Sequence, residues 1–585
     1  MLVEALKILA PVRIIHSKRD VIQTFYMKFA KDLYRWDLAQ YFTPTTLTAF
    51  IVDALAPQFG EHVFDPACGS ADFLIAAFHK GREFDTSYAD CVWGADNSVK
   101  AVQIAVLNML LNGDGKGNIA HEDSLEQIEK RARHYDVVVC NPPFGTKIVE
   151  TRADVLAKFD LGHEWSDCAG VVERTETISG SQESGILFLE ACVRLARAGG
   201  RVGIILPNGY LGNRSMRYKA LRHWMLCHCR VACICSLPRF TFKTSGADVS
   251  ASVVFLEKRN EGLEAIPEHE DYMFSVEIVE KVGWEAGNKR AKPVYRRDPE
   301  DGSFIIDAAG DPIVDSDFPD KLARIGNSDG ADCFAWLARG HTASDTPVGW
   351  AVDIDNVLRD SDLTLDPKRW CEKVSTVRDM IRRADSFTLG EALDFLPERK
   401  STSGKPFRVQ TARTYKYVEL QNIGYGDYRY EEVKGWELPS RARHLAEPGD
   451  LFLGAIWGSV QKWCLIGNTA TDLVVTNGCH RCRLKAGRED DLVDLVAFFN
   501  TEAYAVQMRS FSRGSDGLAE VTQHDAANVL VPRISDDEAR LTVKEQVNRL
   551  MDGLTSVRSV VTQLLSRRLW DFPDVDKRPS HIVLV

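Results

Sequence analysis

The chain has 585 residues, 45% of them apolar and 26% charged, and carries a net charge of −11 at pH 7. That length exceeds one ordinary core and calls for about two to four domains, and the composition excludes a disordered or fibrous chain. The acidic balance excludes a protein that coats nucleic acid over its whole surface, while leaving room for a local basic groove.

No run approaches about 18 uninterrupted apolar residues, so no membrane contact is expected. The first ten residues are weakly amphipathic and lack a signal-peptide cleavage pattern. Fourteen cysteines in a chain of this size read as reduced thiols. A cytoplasmic location is therefore expected.

Residues 1–38 read as one or two helices, with Val21, Phe25, Phe29 and Leu33 at helical spacing. They end at Gln40-Tyr41-Phe42-Thr43-Pro44. Thr43 is expected to cap the next helix, with Pro44 at its first position and Leu47, Phe50, Ile51 and Leu55 inward. A short strand, His62-Val63-Phe64-Asp65, then runs into the turn Pro66-Ala67-Cys68-Gly69-Ser70-Ala71 and a helix from Asp72. Small residues there let backbone amides approach a ligand at a helix N-terminus. A lone glycine turn would be weak evidence. The strand Cys91-Val92-Trp93-Gly94-Ala95-Asp96 ends in an acid about 25 residues further on, where Rossmann-like folds bind ribose hydroxyls. Taken alone, Asp96 reads equally well as a solvated strand end. An amphipathic helix over 101–111 closes at Gly113, and Glu122-Asp123-Ser124-Leu125 follows.

The most informative stretch is Tyr135-Asp136-Val137-Val138-Val139-Cys140-Asn141-Pro142-Pro143-Phe144-Gly145. Its β-branched run is that of a strand buried on both faces, and two prolines stop it. An arbitrary Asn-Pro dipeptide would be only a turn. Here an amide, two rigid prolines and an aromatic ring stand at the carboxyl end of a buried strand, where open α/β sheets bind ligands. The exocyclic amine of adenine is a poor nucleophile because its lone pair is delocalised into the ring. The Asn141 amide oxygen and the Pro142 carbonyl can both accept its hydrogens, and Phe144 offers a face for an extruded base.

Asn141-Pro142-Pro143-Phe144 resembles the catalytic motif of S-adenosylmethionine-dependent DNA adenine methyltransferases. Gln40-Tyr41-Phe42-Thr43-Pro44 and Asp65-Pro66-Ala67-Cys68-Gly69-Ser70 are similar to the gamma-type members. The resemblance implies a cofactor pocket lined by Gln40, Tyr41, Phe42, Thr43, Pro44, Asp65, Gly69, Ser70, Asp96 and Asp123, with Asp123 near the cofactor's adenine amine. It implies that Asn141, Pro142, Pro143 and Phe144 form the catalytic set. The chain departs from the pattern at Ala71, where the family usually has a second glycine, and an added methyl disfavours positive φ. Gly200-Arg201-Val202-Gly203-Ile204-Ile205-Leu206-Pro207-Asn208-Gly209 and Ser236-Leu237-Pro238 also resemble the modification subunits of type I restriction–modification systems. The expected fold is α/β, a Rossmann-like class I methyltransferase sheet.

Between 145 and 185 the sequence reads as a long polar loop, either a substrate loop or a tolerated insertion. Residues 258–345 look turn-rich. The expected division is a helical segment at 1–38, a methyltransferase domain at 39–290, a connecting region at 291–385 and a second domain at 386–585. This last part shows short strands with Gly and Asn turns and resembles the target-recognition domains of type I specificity subunits, a mixed α+β module with a long C-terminal helix over 543–569. From 398 to 443, ten Lys or Arg against six acids, interleaved with Tyr415, Tyr417, Tyr428 and Tyr430, suggest a nucleic-acid face or a solvated mixed surface. The loop 509–517 is similar to one that lies near DNA in that family.

Cys227, Cys229, Cys233 and Cys235, and the pair Cys479 and Cys482, could suit zinc by spacing, but their strand context favours core packing, and no metal is expected. The implied partners are double-stranded DNA and, by resemblance, a restriction nuclease or other defence subunits. Two alternatives stay open: a weak or inactive methyltransferase fold that binds DNA or a partner, and methylation of a substrate other than DNA.

Overall fold

The computed structural model describes residues 43–552 and Trp570, apart from 82–85, 115, 144, 146–147, 169, 240, 243–249, 287–290, 309, 327–333, 335–348, 398–408, 469 and 513–518. Two compact units divide between Trp370 and Cys371.

The first unit opens with α1 (Thr45–Leu55), whose Leu47, Phe50, Ile51 and Leu55 are buried as the spacing predicts. Thr43 does not cap it. Pro44 holds the cap position without a side-chain bond, because the Thr43 hydroxyl is used elsewhere. There follow β1 (Val63–Asp65), α2 (Asp72–Gly81), β2 (Val92–Asp96), α3 (Val99–Leu111), β3 (Ile119–His121) and β4 (Tyr135–Cys140). After these come α4 (Ser184–Leu195), β5 (Ala196–Pro207), α5 (Met216–His228), β6 (Cys229–Ser236), β7 (Ala251–Lys258) and β8 (Met273–Ile278). The unit ends with α6 (Phe318–Ile325) and β9 (Ala351–Asp353).

The nine strands form one sheet in the order β9-β8-β6-β7-β5-β4-β1-β2-β3. Strands β1 to β5 pair in parallel, whereas β7 runs antiparallel to both β5 and β6. From β1 the chain winds outward to β2 and β3, then returns to place β4 on the other side. That reversal opens a crevice at the carboxyl ends of β1 and β4. The α/β doubly wound fold read from the sequence is therefore the observed one. Gly203 on β5 has a packing reason, since a Cβ there would meet Leu55 Cδ1 at 2.8 Å and Ile51 Cγ2 at 3.1 Å, side chains of α1 that would have to shift.

Three expectations change. The span 145–185 is not an irregular loop: His163–Cys168 and Val171–Ile178 pair as an antiparallel hairpin. Buried Glu190 on α4 pins its base by accepting N–H bonds from Asp160 at 2.9 Å and Leu161 at 2.8 Å. The span 291–385 is not a linker either. β9 pairs with β8, and Phe318 of α6 stacks on Phe50 of α1 at 4.7 Å between centroids. Both elements are too short to announce themselves locally and gain stability only from the partner they bury against. The segment 1–38 lies outside the described residues.

The second unit holds α7 (Glu372–Arg382), a five-stranded and a four-stranded sheet, α8 (Asp491–Phe498), α9 (Glu502–Phe511) and α10 (Asp537–Met551). It is the mixed α+β module expected, and it starts at Cys371 rather than 386 because α7 buries Val374, Val377 and Ile381 in this unit's core. The C-terminal helix begins at Asp537, with Val543, Val547 and Leu550 buried, and 553–569 lie outside the described residues. Cys233 and Cys235 are buried in β6, and Cys479 and Cys482 in Cys479–Leu484. Tyr415 and Tyr417 contradict the aromatic surface expected of them, being only 4% and 6% exposed. Two residues apart on one strand, they share its inner face. Lys416, between them, faces the other way, 5.1 Å from the ring of Tyr430.

Candidate active site

The turn after β1 is held by five side chains. Asp65 Oδ1 accepts the Ala67 N–H at 3.0 Å, and Asp96 Oδ2 at the end of β2 accepts that of Gly69, also at 3.0 Å. Asn108 of α3 donates from Nδ2 to the Ser70 carbonyl at 2.8 Å, and Ser124 Oγ donates to the Pro66 carbonyl at 2.7 Å. Asp72 Oδ2, in the first turn of α2, accepts the Ser70 hydroxyl at 2.7 Å and the Thr43 N–H at 2.9 Å. Gly69 and Ala71 have φ of 51° and 67°. The departure at Ala71 thus falls on a position that needs the left-handed region, and the chain accepts it with the methyl fully buried.

Charge here is one-sided. Burial pushes the Asp65 carboxyl well above its ordinary range, the Ala67 N–H opposes that, and Asp96 and Asp72 raise it further. Asp96 is also raised by burial, against the N–H groups of Ser98 and Gly69. Such a ring of carboxylates beside a helix N-terminus suits a ligand that carries positive charge and hydroxyl donors.

Asp123 lies past β3. Its Oδ1 accepts the N–H groups of Leu125 at 3.0 Å and Glu126 at 3.3 Å, and its Oδ2 accepts from Arg152 at 2.6 Å. Arg152 also bonds both oxygens of Glu150, at 3.0 Å and 2.6 Å, and its pKa rises through Glu150 first and Asp123 second. The segment after the Asn-Pro-Pro turn is thereby fastened to the acid expected at the cofactor's amine.

At the end of β4, Asn141 donates from Nδ2 to Thr43 Oγ1 at 3.1 Å, and its Oδ1 is buried without a hydrogen-bond partner. Pro142 is buried and Pro143 exposed. Hydrogen bonds join Thr43, Asp65, Gly69, Ser70, Asp96 and Asn141 at the carboxyl ends of β1, β2 and β4, Pro44 follows Thr43, and Asp123 is linked to the turn through Ser124. Gln40, Tyr41, Phe42 and Phe144 lie outside the described residues. Sequence reading missed Asp72, Asn108, Ser124 and Arg152. Of these, Asn108 gave a signal as an amide inside an apolar helix where it is a poor helix former, and Ser124 stood in the string Glu122-Asp123-Ser124-Leu125 without a role of its own.

Residues 19–292 match the family model described as N-6 DNA Methylase. The chain is 24% identical over 252 residues to the type I restriction enzyme EcoEI methylase subunit of Escherichia coli, covering 41% of this chain and 47% of that protein. It is 35% identical over 106 residues to the type I restriction enzyme MjaIX methylase subunit of Methanocaldococcus jannaschii, covering 18% of this chain and 19% of that one. Among solved structures, the type IIG restriction endonuclease BpuSI is 13% identical, with a TM-score of 0.43, over 88% of this chain and 60% of that one. The match thus spans less than half the length of the two methylase subunits. The motifs read from the sequence and the family match fall on the same stretch, and residues 19–292 are similar to the N-6 DNA methylase family.

Proposed function

We propose that the protein methylates the N6 amine of adenine in DNA, using S-adenosylmethionine. The observation that carries this reading is Asn141 Oδ1, a buried acceptor at the carboxyl end of β4 with no partner among the described residues. Leaving such a group unpaired costs about 1–3 kcal/mol, which an amine hydrogen arriving with substrate would recover.

The residues fit the methyl donor. Gly69 and the amides of its turn would meet the methionine end, Asp96 the ribose, Asp123 the adenine amine and Thr43 with Pro44 the wall of the pocket, while the buried carboxylates complement a cation. S-adenosylmethionine supplies an electrophilic methyl group. Asn141 and the Pro142 carbonyl hold the amine hydrogens so that its lone pair points away from the ring, and Phe144 stacks the base. The work is mostly positioning and charge complementarity. The amine loses its proton after transfer, so a strong base is not required.

Relatives named as type I methylase subunits support a place in restriction–modification, with DNA, a specificity partner and a nuclease as the partners, and the cytoplasm as the location. Among the described residues, no helix is long and apolar enough to cross a membrane. The second unit is read as a target-recognition module; exposed Trp436 and Tyr430, with Lys416 beside the latter, are its most DNA-like features. Ala71 favours the second reading, a domain that binds without turnover.

The test is transfer of labelled methyl from S-adenosylmethionine to unmethylated duplex DNA. Label recovered as methyladenine with the wild type and lost in Asn141→Ala supports the first reading. Cofactor binding without transfer supports the second.

A further inference from the structure

Strand β5 lies beside β4 in parallel, with Cys140 opposite Ile204. Its carboxyl end, Pro207-Asn208, therefore opens on the same edge of the sheet as Asn141-Pro142. The two asparagines leave opposite groups unused. Asn141 keeps an acceptor, Oδ1. Asn208, only 7% exposed, keeps a donor: its Oδ1 accepts the Ser252 hydroxyl at 2.7 Å, its backbone N–H bonds the Ser250 carbonyl at 2.9 Å, and its Nδ2 is buried with no partner among the described residues.

Buried polar atoms are rarely left unpaired, and each such group calls for a reason. The next residue, Gly209, adds no side chain, and a Cβ there would meet nothing within 4 Å. The segments that follow the two asparagines also converge. The Ile148 carbonyl accepts the Ser184 N–H at 3.0 Å, and Glu183 Oε2 accepts the Tyr210 hydroxyl at 2.9 Å. Both strand ends are thus tied to the start of α4.

We propose that Asn208 is a second base-positioning residue, its Nδ2 donating to a ring nitrogen of the flipped base while Asn141 Oδ1 accepts from the exocyclic amine. This rests on the amine-methylation reading above and adds base selection to it. Adenine presents an amine donor beside the N1 acceptor, and cytosine presents the same pair at N4 and N3. Guanine and thymine present an oxygen beside an N–H. An acceptor and a donor presented together to one base would reject guanine and thymine, leaving the size of the ring to the rest of the site.

The experiment uses the full chain, labelled S-adenosylmethionine and unmethylated plasmid DNA, with Asn208→Asp and Asn208→Ala. Aspartate keeps the oxygen that Ser252 bonds and removes the donor. Both variants are expected to bind cofactor within about twofold of the wild type and to lose at least about tenfold in kcat/KM for DNA. Relative to the wild type at each pH, Asn208→Asp regains activity as pH falls toward about 5, because a protonated carboxyl donates again; Asn208→Ala does not. The proposal is overturned by wild-type kcat/KM in both variants, or by Asn208→Asp following Asn208→Ala at every pH. Loss of activity together with cofactor affinity and melting temperature also overturns it, by making Asn208 structural. A wild type that transfers no methyl overturns the methylation reading first, and this inference with it.

Discussion

Two buried carboxylates behave in opposite ways. Asp450 in the second unit is fully buried and closed by its neighbours: Arg481 Nε at 2.7 Å and the Glu447 N–H at 2.8 Å meet one oxygen, and Arg483 Nε at 3.0 Å meets the other. Asp65 in the first unit, 1% exposed, accepts the Ala67 N–H at 3.0 Å, and the charges that act on it, Asp96 and Asp72, have its own sign. A closed polar network fixes a scaffold, whereas an open one reserves its field for something that arrives. Asn141 and Asn208 extend the contrast, each with a buried side-chain atom unused.

The contrast can be broken at several points. The largest effect is expected from Asn141→Ala, which should lower kcat for methyl transfer by roughly 10²–10³ with little change in melting temperature, measured by label incorporation beside calorimetry. A matching loss of stability would make Asn141 part of the scaffold. Asp450→Ala should do the reverse. It leaves Arg481, which is 4% exposed, with only Glu447 at 3.6 Å among the described acids, and should destabilise the second unit by about 3 kcal/mol in denaturant melts while cofactor binding persists. Unchanged melts would mean that the ion pairs hold nothing.

Glu190 sharpens the comparison, since it is buried, yet accepts two N–H groups and lies 3.4 Å from Arg194. Burial, chiefly, raises its pKa from 4.5 to about 7. The folded state therefore holds the proton more tightly than the unfolded state. The stabilising contribution is present below about pH 4.5 and is lost as pH rises through about 7. Thermal melts across that window should show a decline on the order of 3 kcal/mol, and Glu190→Gln should flatten it. An equal slope in the variant would assign the decline to other groups.

The smallest effect is expected at Ala71→Gly. Relief of a left-handed alanine is worth about 1–2 kcal/mol, and the lost burial of one methyl costs about 0.8 kcal/mol. Net stability should move by less than about 1 kcal/mol, with S-adenosylmethionine affinity equal or higher by titration calorimetry. Weaker binding would show that the methyl itself shapes the pocket.

Some of this was legible in the chain because the signals are local. The run from Tyr135 to Cys140 states a doubly buried strand, Pro142 and Pro143 end it, and Pro66 to Ser70 state a close turn, each within a few residues. Those strings place Asn141 and Gly69 just past strand ends, and the parallel pairing of β1 with β2 and β4 brings them to one sheet edge with Asp96. The alternation around Lys416 was also legible, and reading it would have put Tyr415 and Tyr417 inside.

Long-range pairing decided the rest. Nothing near Thr43 says that its hydroxyl will receive Asn141 rather than cap α1, because those residues are 98 positions apart. Arg152 reaches Asp123 across 29 positions and Ser252 reaches Asn208 across 44. Strand β9 has three residues and exists through its pairing with β8. Strands and turns follow from backbone sterics and the side-chain pattern within a few residues. Which polar atoms are satisfied, and which are left for a substrate, follows only when distant segments are packed together.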